Sequence, residues 1–301
     1  MIPDFQKIML PFLTIISDGL EHTTIETNAK LAQHFGLTDE ELNEFLPSGV
    51  AKTFPNRVAW AKSHFKMAGL LENTKRSSFK ITDAGIKLLS EYPNEINLKI
   101  LRTLPTYQER TGRSKEEDFA LDNDTLQSPA TPEESLESSY LKIRKNLSQE
   151  LLLKIKSCSP SFFESLVVEL LVKMGYGGSI KDAGKSIGKS GDEGIDGIIK
   201  EDRLGLDIIY IQAKRWENVV GRPEIQKFIG ALAGQGAKKG VFITTSRYTA
   251  EARDYQPRND TKIVLIDGEQ LTDLMIDYNL AVSTVTNFEI KRIDNDYFGE
   301  E

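Results

Sequence analysis

Apolar residues recur along this chain with two different periods, and the change between them divides it. Through the first hundred residues the period is helical. Phe5, Ile8, Met9, Phe12, Leu13 and Ile16 fall on one stripe, and Ala29, Leu31, Ala32 and Phe35 on a second that Gly36 closes. Thr38 with Glu41 three residues on has the layout of a capping box and predicts another helix start. Val58, Ala61, Phe65 and Ala68 mark a helix from Pro55 to Ala68, stopped by Gly69. Leu70-Leu71-Glu72 and Phe79-Lys80-Ile81-Thr82 then flank a polar turn, and Thr82-Asp83-Ala84-Gly85 opens a further helix. Three helices and a basic-tipped hairpin predict an α-helical winged helix-turn-helix domain over residues 1–100.

Residues 101–139 lose the pattern. Pro105, Pro129 and Pro132, many Ser, Thr, Asp and Glu, and few apolar residues leave too little surface to bury against the chain entropy. An acidic flexible linker is expected, with a short helical piece around Phe119 to Leu121. Helical periodicity resumes at Tyr140 with Leu141, Leu147, Leu151, Leu152 and Ile155, a connector helix or part of a dimer seam.

From residue 140 to 301 helices alternate with short apolar runs. Ser159 to Leu171 is a helix with a Ser-Pro start. Gly197-Ile198-Ile199 and Leu206 to Ile211 read as an antiparallel pair, followed by a helix from Pro223 to Ala237, a strand from Gly240 to Thr245, a short helix from Tyr248 to Tyr255, a strand from Lys262 to Ile266 and a helix from Gly268 to Tyr278. Strand-helix-strand order implies parallel pairing through crossovers. The class is therefore α/β, with a mixed sheet that begins antiparallel and continues parallel.

That hairpin carries the candidate chemistry. Gly191-Asp192-Glu193-Gly194-Ile195-Asp196-Gly197 precedes its first strand, and Gln212-Ala213-Lys214 ends its second, so Asp196, Gln212 and Lys214 meet at one end. Gln212 and Lys214, two apart on a strand, point the same way. An acid and an amide oxygen suit Mg²⁺ or Mn²⁺, and a lysine steadies the attacking water or the phosphate charge, as metal-assisted phosphodiester hydrolysis requires. The bland alternative is a turn aspartate and a solvated lysine. Glu164, in the first turn of the Ser159 helix beside Phe163, Val167 and Leu171, is a third candidate; its bland role is to complement the helix dipole.

The net charge of -7 changes the picture less than its distribution does. Much of the acid lies in the linker and the carboxy-terminal tail. Basic sets remain at Lys62, Lys66, Lys75, Arg76 and Lys80, and at Lys181, Lys185, Lys189, Lys214, Arg215 and Arg222. A local field is sufficient for phosphate contacts. In a winged helix the Pro55–Ala68 helix enters the major groove, with Arg57, Lys62, Ser63 and Lys66 as its polar positions, and the hairpin tip, with Lys75, Arg76 and Lys80, touches DNA beside it. The other use of such a domain is protein docking. The three histidines, His22, His34 and His64, all lie in this half, which excludes a histidine-based nuclease centre or a Ser-His-Asp triad in the other. One cysteine, Cys158, excludes a disulfide framework within the chain. Gly184-Lys185-Ser186-Ile187-Gly188-Lys189-Ser190 misses the spacing of a phosphate loop, so no nucleotide cofactor is expected. With no apolar run long enough for a membrane and no signal-like start, a cytoplasmic protein is expected.

Phe-Glu on a helix, then Gly-Asp-x-Gly-Ile-Asp-Gly, then Gln-Ala-Lys-Arg-Trp resembles the catalytic domain of Mrr-family restriction endonucleases, a branch of the PD-(D/E)-x-K nucleases. Gly221 to Phe228, Ala231 to Gln235 and Gly240 to Ser246 share that likeness, and residues 1–100 resemble the accessory DNA-binding domain. The resemblance implies a restriction-endonuclease-like mixed sheet flanked by helices, with Glu164, Asp196, Gln212 and Lys214 as the active site. Gln212 stands where most of the superfamily has an acid, which brings one negative charge fewer to the metal. The implied activity is cleavage of foreign or modified, above all methylated, double-stranded DNA; since one hydrolytic centre cuts one strand, a homodimer or higher homo-oligomer is expected. A repair or recombination nuclease and a catalytically inactive DNA-binding regulator are the alternatives.

Overall fold

The structure is a computed structural model, and it describes residues 1–75, 77–111, 130–177, 195–202, 206–255, 260–291, 293 and 297. Contacts divide the chain into two compact units, residues 1–141 with 290–301, and residues 142–289. Among the described residues no helix is long and apolar enough to cross a membrane.

The first unit is built on α1 (Phe5–Ile15), β1 (His22–Thr23), α2 (Thr24–Phe35), α3 (Asp39–Leu42), α4 (Thr53–Met67), β2 (Leu71–Lys75), β3 (Ser78–Ile81) and α5 (Asp83–Glu91). Local chemistry sets these ends. Thr23 and Glu26, and Thr38 and Glu41, form reciprocal capping boxes, and Gly36 closes α2 at φ 60°. The predicted stripes of α1 and α4 meet in one core, where Phe12 lies against Phe65 and Phe79. The hairpin gains a strand that its two-residue length hid from the sequence: β1 pairs antiparallel with β3, giving the order β1-β3-β2.

Part of the segment expected to be linker is helical. α6 (Leu98–Arg102) and α7 (Pro105–Thr111) follow α5, and Tyr107 is buried against α4, its hydroxyl 2.9 Å from His64 Nδ1. α8 runs from Pro132 to Ser157, eight residues earlier than the apolar pattern suggested. Its start is a capping exchange: the Thr131 N–H donates to Glu134 Oε2 at 2.7 Å and the Glu134 N–H donates to Thr131 Oγ1 at 3.2 Å. The piece expected around Phe119 to Leu121 lies outside the described residues.

The second unit continues α8 into α9 (Pro160–Lys173), β4 (Gly197–Lys200), β5 (Ile208–Lys214), α10 (Arg222–Gly234), β6 (Lys239–Thr244), α11 (Ala250–Arg253), β7 (Lys262–Ile266) and α12 (Gly268–Asp277). Its sheet has the order β4-β5-β6-β7, antiparallel at β4–β5 and parallel thereafter, as expected. Alternation along β5 explains the layers. Ile209, Ile211 and Ala213 join α9 and α12 in one core, while Tyr210 faces the cluster of α10 and α11 on the other side. Leu151 and Ile155 of α8 are buried in the first of these cores, with Leu147 packed against it. These three positions of the stripe that offered a dimer seam are thus used inside the unit, whereas Leu141 is exposed. Gly240 brings β6 close to α10: a Cβ there would lie 2.7 Å from the Phe228 ring.

Candidate active site and nucleic-acid interface

β4 starts at Gly197, which pairs with Ile211, so Asp196 stands just before the ladder begins. Its backbone N–H still donates to the Ile211 carbonyl at 2.9 Å. Its carboxylate then takes over the next rung, with Oδ2 accepting from the Ala213 N–H at 2.8 Å. One oxygen is thereby held by the strand that carries Gln212 and Lys214. The other makes no hydrogen bond among the described residues.

Gln212 and Lys214 share a face of β5, and Gln212 is 6% exposed. The end of the strand is fixed through the Lys214 carbonyl, which accepts from Thr244 Oγ1 at 2.9 Å, from the Trp216 N–H at 3.0 Å and from the Thr245 N–H at 3.2 Å. Thr245 Oγ1 donates to the Trp216 carbonyl at 2.9 Å and Ser246 Oγ to the Glu217 carbonyl at 3.1 Å. The Thr244-Thr245-Ser246 run therefore braces the loop leaving Lys214. The sequence showed the run, but a parallel neighbour thirty residues away is visible only in the sheet.

Glu164 sits on α9, whose N-cap Ser159 accepts from the Phe162 N–H. Burial pushes its carboxyl above the usual glutamate range, and the charge of Asp196 pushes it the same way, while Lys214 pulls it down. Glu164 therefore feels the charges of the two other sequence candidates, Asp196 and Lys214. Asp192 and Glu193 lie outside the described residues, and among the described ones no group of three or more His, Cys, Asp or Glu is placed to hold a metal.

The expected DNA contacts divide. Arg57 is not on offer to a ligand: its guanidinium pairs with Glu134 at 2.8 Å and donates to the Ile2 and Pro3 carbonyls at 2.9 and 3.0 Å. Arg215 is turned inward as well, donating to the carbonyl of Lys156 in the last turn of α8 at 2.6 Å, with Nε buried and unpartnered. Both side chains end on groups whose place no local pattern reveals. Lys62 is half-buried, and Lys66 lies one turn on from it along α4. Lys75 is exposed on β2, and Lys80 pairs with Glu72 at 2.8 Å, which raises its pKa. Arg76 and the lysines at 181, 185 and 189 lie outside the described residues.

A mixed sheet between helix layers, with acid and lysine charges gathered where its antiparallel pair ends, describes an endonuclease domain. Comparison with known proteins narrows the class. Residues 155–275 match the restriction endonuclease family Mrr_cat, and residues 5–91 match the Mrr N-terminal domain. A type IV methyl-directed restriction enzyme of Escherichia coli (strain K12), EcoKMrr, is 35% identical over 306 residues, which is 99% of this chain and 99% of that protein. The chain belongs to the Mrr family of restriction endonucleases. Among solved structures, the DNA modification-dependent restriction endonuclease AspBHI aligns with 70% of this chain and 56% of its own, at a TM-score of 0.34 and 16% identity. The MspJI restriction endonuclease bound to a 27-mer oligonucleotide aligns with 66% of this chain and 47% of its own, at a TM-score of 0.27 and 16% identity. The chain thus spans about half the length of those two enzymes, and neither likeness is close enough to bear on architecture.

Proposed function

We propose that this chain is a methyl-directed endonuclease that hydrolyses phosphodiester bonds of modified double-stranded DNA, using Mg²⁺ or Mn²⁺ held by Asp196, Gln212 and Glu164. The observation that supports the reading is that Glu164 lies close enough to Asp196 and Lys214 for their charges to shift its carboxyl in opposite directions. Two acids that repel one another in a partly desolvated place favour a dication between them. Asp196 has one oxygen fixed by the Ala213 N–H and another with no hydrogen bond among the described residues, and the buried Gln212 of the adjacent strand would add a neutral oxygen. Lewis acidity toward a water and toward the phosphate is the chemistry that such an ion would supply there. Lys214 supplies a fixed positive charge at the same strand end, where it stabilises charge developing on the scissile phosphate. Gln212 lowers the negative charge of the set, so the ion depends more on Glu164.

The working form is proposed to be a homodimer or larger on DNA, because one hydrolytic centre cuts one strand. The test of function is digestion of matched methylated and unmethylated plasmids with and without Mg²⁺. Cleavage confined to methylated plasmid and abolished by EDTA is expected. Asp196→Ala should abolish cutting while DNA binding persists; undiminished cleavage by that variant, or in EDTA, sinks the assignment.

A further inference from the structure

The outward side of α4 is covered over much of its length. Thr131 Oγ1 meets Asn56 Oδ1 at 2.9 Å, Glu134 pairs with Arg57, Glu133 accepts from the Trp60 indole, and Tyr107 meets His64. The side that remains carries Ala59, Lys62, Ser63 and Lys66, and it borders a cavity of about 360 Å³ against α2.

We propose that this α2–α4 cavity is an anion site that seats a phosphate of the DNA backbone, with Lys62 as its anchor. The proposal rests on the reading of the first unit as the DNA-reading part of the chain. Its polar lining is Thr24, Thr27 and Asn28 from α2 with Lys62, Ser63 and Lys66 from α4. Phe12 of α1 and Phe79 of β3 lie beneath, and Ile293 borders it from the carboxy-terminal residues. No carboxylate lines it among the described residues, and Lys66 is the one other charged group facing Lys62 there.

Lys62 is the unusual member. Its ammonium lies 3.9 Å above the Phe79 ring and donates to Thr24 Oγ1 at 2.8 Å. Burial, with the charge of Lys66, pushes its pKa down to about 8. With no carboxylate facing it among the described residues, such a lysine is costly to keep charged, and an anion arriving beside it removes that cost. The Thr24 hydroxyl already donates to the Ser77 carbonyl at 3.2 Å and the Thr27 hydroxyl to the Thr23 carbonyl at 2.8 Å, so Ser63 is the hydroxyl of the lining left to donate to a phosphate oxygen. Asn28 lines the same cavity. A phosphate contact positions DNA without reading sequence, so Lys62 should act equally on modified and unmodified duplex.

The linkage has a definite sign. Free Lys62 is about half protonated at pH 8, and a neighbouring phosphate raises its pKa, so binding takes up a proton there. Titration calorimetry of the full chain with matched methylated and unmethylated duplexes, in EDTA at pH 8, in two buffers of different ionisation enthalpy, measures that uptake. Wild-type protein should take up about half a proton more per chain than Lys62→Met. Lys62→Met should also lower the slope of log K against log salt by about 0.9 on both duplexes. Lys62→Arg should restore the slope but not the uptake. Thr24→Val, which leaves the charge in place, should lower affinity with the slope unchanged. A Lys62→Met protein that matches wild type in uptake and slope overturns the proposal, and so does a loss confined to methylated duplex, which would make Lys62 a base reader. Wild-type protein that binds neither duplex at low salt removes the DNA-reading role of the unit, and the proposal with it.

Discussion

Lys214 and Glu164 answer to different measurements. If Lys214 stabilises charge on the phosphate, Lys214→Ala should lower the single-turnover cleavage rate by roughly 10²–10³, the usual worth of an electrostatic donor at a reacting oxygen. A change within about twofold would make it a surface lysine. Glu164 should set a pH dependence. Its folded pKa is raised above the ordinary 4.5, so the folded chain holds this proton more tightly than the unfolded one. Any stability it lends is present at low pH and fades as pH rises through the raised value. Its ionised form, which a cation needs, is lost as pH falls through that same value. Cleavage should therefore show an acid limb above the ordinary glutamate range, and more Mg²⁺ should move the limb to lower pH by competing with the proton. A limb indifferent to Mg²⁺ concentration would exclude Glu164 from the ion's site.

The start of α8 does more than begin a helix. Thr131 and Glu134 cap it reciprocally, and the same Glu134 carboxylate receives the Arg57 Nε–H. The Glu134 and Arg57 side chains are 11% and 19% exposed, so removing the acid leaves a largely buried guanidinium short of its charge partner. Glu134→Ala should destabilise the first unit by about 2 kcal/mol, in the range for a lost hydrogen bond to a charged group. Denaturant unfolding of the variant measures this, and an unchanged midpoint would mean that the contact is incidental. The sequence carried the sign of this element, a Thr with a Glu three residues on, but sparse apolar residues and nearby prolines made the segment read as linker. α7 was hidden in the same way, because Tyr107 is the one residue it buries.

One hydrolytic centre per chain bears on assembly. A double-strand break most simply needs two such centres, and symmetric pairing is the common solution. Light scattering with and without duplex, run beside a plasmid nicking assay, should show a dimer or larger form on DNA together with linear product. A strict monomer that only nicks would refute paired sites and leave the metal chemistry standing. Of the seam expected at Leu141, Leu147, Leu151 and Ile155, the last three serve the second unit's own core. On the same helix Leu141, Ile143 and Leu153 remain exposed.

What the sequence determined by itself was local. Helical stripes, capping residues, glycine stops and a short antiparallel pair followed by crossovers predicted most of the elements and the mixed sheet, because each depends on neighbours within a few residues. The order of Glu164, Asp196, Gln212 and Lys214 was legible for the same reason, with two-residue alternation placing the last two on one face. Tertiary structure decided which charges are available. Nothing near Arg57 or Arg215 shows that Glu134 and the Lys156 carbonyl receive them, because those partners are brought in across 77 and 59 residues of chain. Nor does the sequence show that Lys62, one of several similar lysines, is the one drawn over Phe79 into a cavity that no acid lines among the described residues. Burial and charge pairing are sums over the folded neighbourhood, and a neighbourhood exists only once the chain has closed on itself.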